Sequence, residues 1–431
     1  MRLLMNLHVL KRIGFVLALA FVGLLFGCSK QDSTIVIWTN RPEFASYAEL
    51  FNSTHQDMKA VVVYKENPSA SLPPQKNEVP PDLIVGPWLK SSSAKNYYSP
   101  LDKIFAKDEE DEGLDRSIFY PQLLEYGVVN EKQYFLPISY NLPAMVCLKD
   151  NEDLLPNQHV LTLDAIKECT AQFNSTDRYG DFSTIGFAPS WDYDFVYEAS
   201  KILGAGYEQD ENGFKWNDYG LNATVEYMRK WTEEVNQSTT LEQNFMFNYL
   251  YMPKYRWVST KKCLMAFMTS DELFSLSNEF SQDLTFRWLI TDAEKFPVED
   301  DIVMMGMYKK SRNKKLAEEF FYWFNSMETQ QALIERSEKM NLDSKSFGIT
   351  GGFSCIKEVN ISVFPSHYRV LLENLPTEEN MEFGSVLPSG WKEIKKQVFI
   401  PYFSQRCDTD ADPEGYTTLE DLIANYNRTA W

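Results

Sequence analysis

Histidine is scarce, four residues in a chain of 431, and His55, His159 and His367 stand far apart with no HExxH or HxH spacing. No zinc ligand set can be assembled from them by motif. The turns that carry other catalytic chemistry are missing too: there is no GxSxG elbow and no GxxxxGK[ST] phosphate loop, and Gly204-Ala205-Gly206 breaks the dinucleotide pattern. Cysteine is sparse, six residues with no CxxC spacing. With Cys28 set aside, Cys147, Cys169, Cys263, Cys355 and Cys407 remain, an odd number that cannot all pair within the chain, and they read as small buried hydrophobes. Positive charge is also short: 42 Lys and Arg against 61 Asp and Glu give a net charge of −19. A phosphate backbone is bound by concentrated cations, so nucleic acid is excluded as a partner. No cofactor and no metal is expected. An enzyme is not expected, although paired carboxylates for glycan cleavage stay open among so many acids.

A run long enough to span a bilayer is absent as well. Ile13 to Phe26 is fourteen residues, all apolar or Gly, where a span takes about 20. Lys11 and Arg12 precede it and Gly27-Cys28 follow. This is the layout of a signal peptide over residues 1–27 with a bacterial lipobox, whose Cys28 is lipidated and becomes the new N-terminus. The protein is then expected in the cell envelope, anchored through Cys28 on the periplasmic or extracellular side of a bacterial membrane. Removing Arg2, Lys11 and Arg12 lowers the net charge to −22, which keeps the mature chain soluble and unattracted to anionic lipid.

What the chain has in surplus is rings: 14% aromatic, with 10 Trp and 23 Tyr. It also has room for two domains. Thr34–Trp38 reads as a buried strand, Phe44–Asn52 as a helix, and Ala60–Tyr64 and Asp82–Gly86 as further strands, an order that implies parallel pairing. Asn67–Pro81, rich in Pro and Ser, is a loop. Tyr134–Asp150 is long, apolar and twice broken by Pro, so it suits a strand leaving one domain for another. Thr162–Phe173, Tyr193–Leu203, Leu221–Glu234 and Leu316–Met327 carry helical spacing. The acidic run Lys107–Asp115 reads as a solvated turn, and Glu211-Asn212-Gly213 as a hairpin turn.

Five blocks together are distinctive: IVIWTNRPEFASYAELFN, PPDLIVGPW, LPISYNLPAMVCLKD, IGFAPSWDYDF through GAGY, and MMGMYKKSRNKKLAEEFFYWFNSMETQQAL. Their order resembles the extracellular solute-binding proteins of family 1, the carbohydrate-type receptors of ABC importers. The resemblance implies a two-lobed α/β fold of the periplasmic-binding-protein type II, each lobe a central mixed sheet flanked by helices, with the ligand in the cleft between. It divides the chain into a first lobe of 33–137 plus 304–336 and a second of 138–303 plus 337–431, with crossovers near 137–141, 300–303 and 337–347.

The resemblance also implies a ring of ligand-binding positions. Asn40 and Glu43 follow the first strand, Glu43 reversing the sign of a Lys found there. Trp88 stands near the place of a stacking Trp, and Asn141 falls on a sugar-binding Glu. Trp191, Asp192 and Tyr193 fall on a loop where an acid and an aromatic grip the sugar; Trp391 matches a stacking Trp; Asp271 replaces another. Gly306 lies on the family's Gly-containing strand. The residue types suit a sugar on their own terms, because Trp and Tyr faces cover C–H surfaces and planar amides and carboxylates engage adjacent hydroxyls. Trp38 and Trp323 are assigned to the core. That set contains no cation, which favours a neutral solute over a glycerophosphodiester. The expected function is capture of a sugar or similar small polar solute by lobe closure and delivery to ABC permease subunits. Three alternatives stand beside it: a glycerophosphodiester receptor of the same family, a surface lipoprotein that binds a macromolecule, and a glycan-cleaving enzyme.

Overall fold

The computed structural model describes residues 33–90, 94–106, 113–210, 213–339 and 346–429. The expected signal peptide, Cys28, most of the acidic run 107–115 and two residues of the expected hairpin turn 211–213 lie outside them, as do residues 340–345 of the expected third crossover.

The chain begins in one sheet and crosses to a second. β1 (Thr34–Thr39), β2 (Lys59–Tyr64), β3 (Leu83–Pro87), β4 (Tyr98–Ser99) and β5 (Phe135–Tyr140) belong to the first. β6 (Pro143–Leu148), β7 (Val160–Leu161), β8 (Met265–Thr269) and β9 (Leu284–Leu289) form the second. β10 (Val303–Tyr308) and β11 (Phe353–Ser354) then return to the first. The first sheet runs β11-β5-β10-β3-β1-β2, with β4 on β10; β1 is parallel to β2 and β3, while β10 is antiparallel to β3 and β5. In the second, of order β8-β6-β9-β7, β6 lies antiparallel between β8 and β9. Both sheets are mixed, and helices cover them.

The β-branched and apolar runs explain these strands. β3 and β5 are buried at every position, which a sheet covered on both faces requires. β6 shows the period of two directly: Ala144, Val146 and Leu148 face one hydrophobic core, Met145 and Cys147 the other. All five described cysteines are free and buried, so they act as packing residues. Trp38 is fully buried and Trp323 half-buried, its ring edge-on to Phe51 at 5.1 Å. The helix expected over 316–327 is two helices, Lys314–Phe324 and Met327–Lys339.

Between the sheets the chain makes three passes. Asn141 and Leu142 join β5 to β6. Glu299–Ile302 lead from the second sheet's side into β10, and the Glu299 amide donates to the Asn141 carbonyl (3.0 Å). The third pass departs from expectation. Residues 337–431 do not stay wholly with the second sheet, because β11 pairs with β5, and Phe347, Ile349 and Phe364 pack in a core that both sheets share. Only further on do Trp391, Val398, Phe399 and Phe403 pack in the second core. Residues past 405 have a structural role too. Cys407 and Leu419 complete that core, and the Asp410 carboxylate accepts the amide of Thr240 (2.7 Å) at the start of helix Thr239–Phe247.

Candidate functional site

A cleft of about 680 Å³ opens beside the passes between the sheets. The carboxyl ends of β1 and β3 supply Asn40, Arg41 and Trp88, β2 ends at Tyr64, and the second sheet's side contributes Thr269, Asp271 and Trp391. Its floor is the crossover itself, Asn141 and the acid run Glu299-Asp300-Asp301. Strand ends of open α/β sheets are where ligands gather, since the chain there leaves its ladder and presents side chains.

Two kinds of polar group line it. Some are fully committed. Asn141 donates Nδ2–H to the Gly351 carbonyl (2.9 Å) and accepts the Ser270 hydroxyl at Oδ1 (2.6 Å). Asp300 pairs with Lys201 (3.1 Å) and accepts the Tyr197 hydroxyl and the Trp391 indole N–H (3.3 Å). Others have no protein partner among the described residues although buried: the acceptors Asn40 Oδ1, Glu299 Oε1 and Asp301 Oδ1, and the donors Arg41 Nε and Trp88 Nε1. Each such group costs on the order of 1–3 kcal/mol unless something satisfies it. Burial pushes the Glu299 carboxyl well above the usual carboxylate range, and Glu198 adds to the rise. Asp271 is raised as well, by burial and then by the neighbouring Asp301 charge.

The structure divides the expected ligand-binding ring. Asn40, Trp88, Asn141, Asp271 and Trp391 line the cleft. Trp88 is half-exposed, sits at φ +53° and reaches across to pack against the second core. Trp391 is only part of the wall: it is 0% exposed, enclosed by Phe214, Tyr207 and Phe399, so neither face is free to stack. Trp191, Asp192, Tyr193, Glu43 and Gly306 are not in the cleft lining. The Trp191 ring lies flat on Phe245 (5.7 Å, 11°) and its N–H donates to the Glu242 carbonyl (3.0 Å). Asp192 caps helix Tyr193–Ile202 and pairs with Lys254 (2.6 Å), while Tyr193 reaches the Ser404 carbonyl (3.5 Å). Glu43 opens helix Glu43–Thr54 and accepts the Ser346 hydroxyl (2.7 Å). Gly306 is a packing glycine, since a Cβ there would fall 2.7 Å from the Tyr98 ring.

Several lining residues were not foreseen: Tyr64, Glu66, Asp194, Glu299 and the cations Arg41, Lys392, Lys395 and Lys396. The cleft is therefore not free of cations. Arg41 is held by Asp301 (3.3 Å) and Lys395 by Asp194 (3.1 Å), whereas Lys392 and Lys396 are exposed. One signal was legible: three consecutive acids ahead of a buried strand, at the place assigned to the second crossover, are costly unless they face a cavity or cations.

The sequence pattern of the bacterial extracellular solute-binding proteins matches residues 38–331, more than half of the chain. The chain belongs to that family. Solved structures of similar fold include an ABC substrate-binding protein from Listeria monocytogenes in complex with cycloalternan. It is 14% identical at a TM-score of 0.60, over 92% of this chain and 98% of that one. The galacto-N-biose/lacto-N-biose I-binding protein of the Bifidobacterium longum ABC transporter, in complex with lacto-N-biose, is 14% identical at a TM-score of 0.59, over 92% of this chain and 96% of that one. These likenesses establish the two-lobed α/β fold. No curated protein matches the chain in sequence. As a family the solute-binding proteins bind rather than catalyse, and they act outside the cytoplasm. No helix among the described residues is long and apolar enough to cross a membrane.

Proposed function

We propose that this solute-binding protein is the receptor of an ABC importer for a carbohydrate, most of all an oligosaccharide. The observation that carries this is the pairing of unsatisfied donors and acceptors with rings in one cleft. Trp88 and Arg41 hold N–H groups, and Asn40, Glu299 and Asp301 hold oxygens, that are buried without a protein partner among the described residues, and Trp88 and the 67%-exposed Tyr64 offer apolar faces. A sugar supplies hydroxyls that donate and accept in adjacent pairs and a C–H face that covers a ring. The similar structures from Listeria and Bifidobacterium hold cycloalternan and lacto-N-biose.

In this reading the halves built on the two sheets are lobes that hinge at Asn141-Leu142 and Glu299–Ile302. Closure around the solute is a hinge motion, and the closed form docks on permease subunits in the membrane. Asn67, from the first half, donates to the Ser389 carbonyl (2.9 Å) in the second, a bond that a closed form keeps. A solute that moves the equilibrium from 1:99 to 99:1 must favour the closed state by about 5.5 kcal/mol; a micromolar Kd, about −8 kcal/mol, accommodates that. Cys28 carries the lipid anchor, and the protein works on the outer face of a bacterial membrane. Titration calorimetry of the mature protein against neutral oligosaccharides, amino sugars and glycerophosphodiesters tests the reading. Saturable heat with at least one sugar, weakened about tenfold in Trp88→Ala, is the expected result. Absence of heat with every solute, or a Trp88→Ala variant as tight as wild type, refutes it.

A further inference from the structure

The charges of the cleft floor do not balance. Lys201 is saturated by Glu198 (2.8 Å), Asp300 (3.1 Å) and the Val298 carbonyl (3.1 Å). Lys395 answers Asp194 and Arg41 answers Asp301. Glu299 and Asp271 then form no salt bridge among the described residues, although the Lys201 and Lys395 charges act on Glu299 and the Arg41 charge on Asp271. Glu299 lines the cleft, is only 8% exposed, and its Oε1 is buried without a hydrogen-bond partner among the described residues. Asp271 feels the Asp301 carboxylate and receives only part of the Arg41 charge in return. A neutral hydroxyl can hydrogen-bond such carboxylates but leaves the negative excess in place. A metal ion is a poor answer, because no three His, Cys, Asp or Glu side chains among the described residues come together to hold one. An anion would have only the exposed Lys392 and Lys396 of the lining to meet, since Arg41, Lys201 and Lys395 are already paired.

An ammonium group answers both demands. It carries one positive charge and three donors, and the unpartnered acceptors are Glu299 Oε1, Asp301 Oδ1 and Asn40 Oδ1. We propose that the solute is an amino sugar, or an oligosaccharide containing one, whose free ammonium is held by the Glu299 carboxylate with Asp271 supplying further negative charge on the same cleft. The assignment rests on the carbohydrate-receptor reading and narrows it. It also accounts for the position of Glu299: a carboxylate taken out of water is tolerable where a cation meets it. Burial raises the Glu299 carboxyl, and an ammonium favours its ionised form, so the amine's binding is expected to release a proton where a neutral sugar's is not.

Calorimetry decides the matter with glucosamine and its β-1,4-linked dimer as probes, set against the N-acetylated counterparts, the corresponding glucose sugars and glucose 6-phosphate. The expected result is at least tenfold tighter binding of the free amine than of the N-acetylated sugar. The binding heat of the amine alone should vary with the ionisation enthalpy of the buffer. Glu299→Gln should erase most of the tenfold preference, and Asp271→Asn should reduce it, the second variant guarding against misfolding of the first. Equal or tighter binding of the N-acetylated or neutral sugar, tightest binding of the phosphate, no binding of either amine, or a preference that survives in Glu299→Gln overturns the assignment. Neutral-sugar binding without an amine preference overturns it while leaving the carbohydrate receptor intact; silence from every probe removes both.

Discussion

Trp391 and Trp88 line the same cleft, yet they are opposite kinds of residue. Trp391 is enclosed by three rings, and its N–H is already given to the Tyr197 hydroxyl (3.1 Å) and Asp300. Trp88 stands half-exposed at the end of β3, in a left-handed backbone conformation, with its N–H unpartnered. The first is a strut that fixes where the cleft wall lies; the second keeps part of its ring uncovered in the cleft lining. Residue type and nearness to a cavity do not separate these roles. What separates them is whether faces and polar atom are already used by the protein.

The contrast can be broken by substitution. Trp391→Ala should have the largest effect, a loss of about 3–5 kcal/mol as for other buried aromatics, seen as an earlier denaturant midpoint; an unchanged midpoint would show that the enclosing rings collapse without cost. Trp191→Phe keeps a ring on Phe245 but abandons the Glu242 carbonyl, so stability should fall by about 1–2 kcal/mol, while the affinity for solute stays within about twofold in calorimetry. Trp88→Ala should reverse the pattern: affinity falls by about tenfold, or 1.4 kcal/mol, with stability moving by less than about 1 kcal/mol. Tyr64→Ala, at an exposed edge of the cleft, should cost affinity about threefold and leave stability within about 0.5 kcal/mol.

The acid floor sharpens the comparison through pH. Because the folded protein holds Glu299 well above its ordinary range, the unfolded chain releases that proton first. The native state then binds more protons, and stability must fall as pH rises from the ordinary Glu value toward the raised one. In solute-free protein, unfolding free energy measured from about pH 4.5 upward should decline less steeply in Glu299→Gln than in wild type. Asp271, shifted in the same direction, adds to the wild-type slope. A variant with an identical slope would mean that Glu299 is ionised in the folded cleft.

Much of the scaffold was legible in the residues. Buried strands announce themselves as β-branched runs such as TIVIW and AVVVY, and the Pro-broken stretch around Asn141 does mark the passage from one sheet to the other. The lining of the candidate cleft was legible only in part. Asn40, Trp88, Asn141, Asp271 and Trp391 share one cleft, whereas Trp191, which sits between turn residues as a binding ring would, is folded inward onto Phe245. Sequence spacing carries no information about a ring contributed 54 residues later.

The order and length of apolar runs, the scarcity of catalytic residues and the excess of acid are properties of the chain alone, because they follow from local periodicity and from counting. They determined the order of strands and helices of a mixed α/β protein. Which rings stay open, which acids find a cation and which half receives the returning segment at Phe353 were decided by tertiary packing. Those outcomes depend on the distance between groups far apart in the chain, and a buried group's charge and availability depend on its neighbours more than on its own kind.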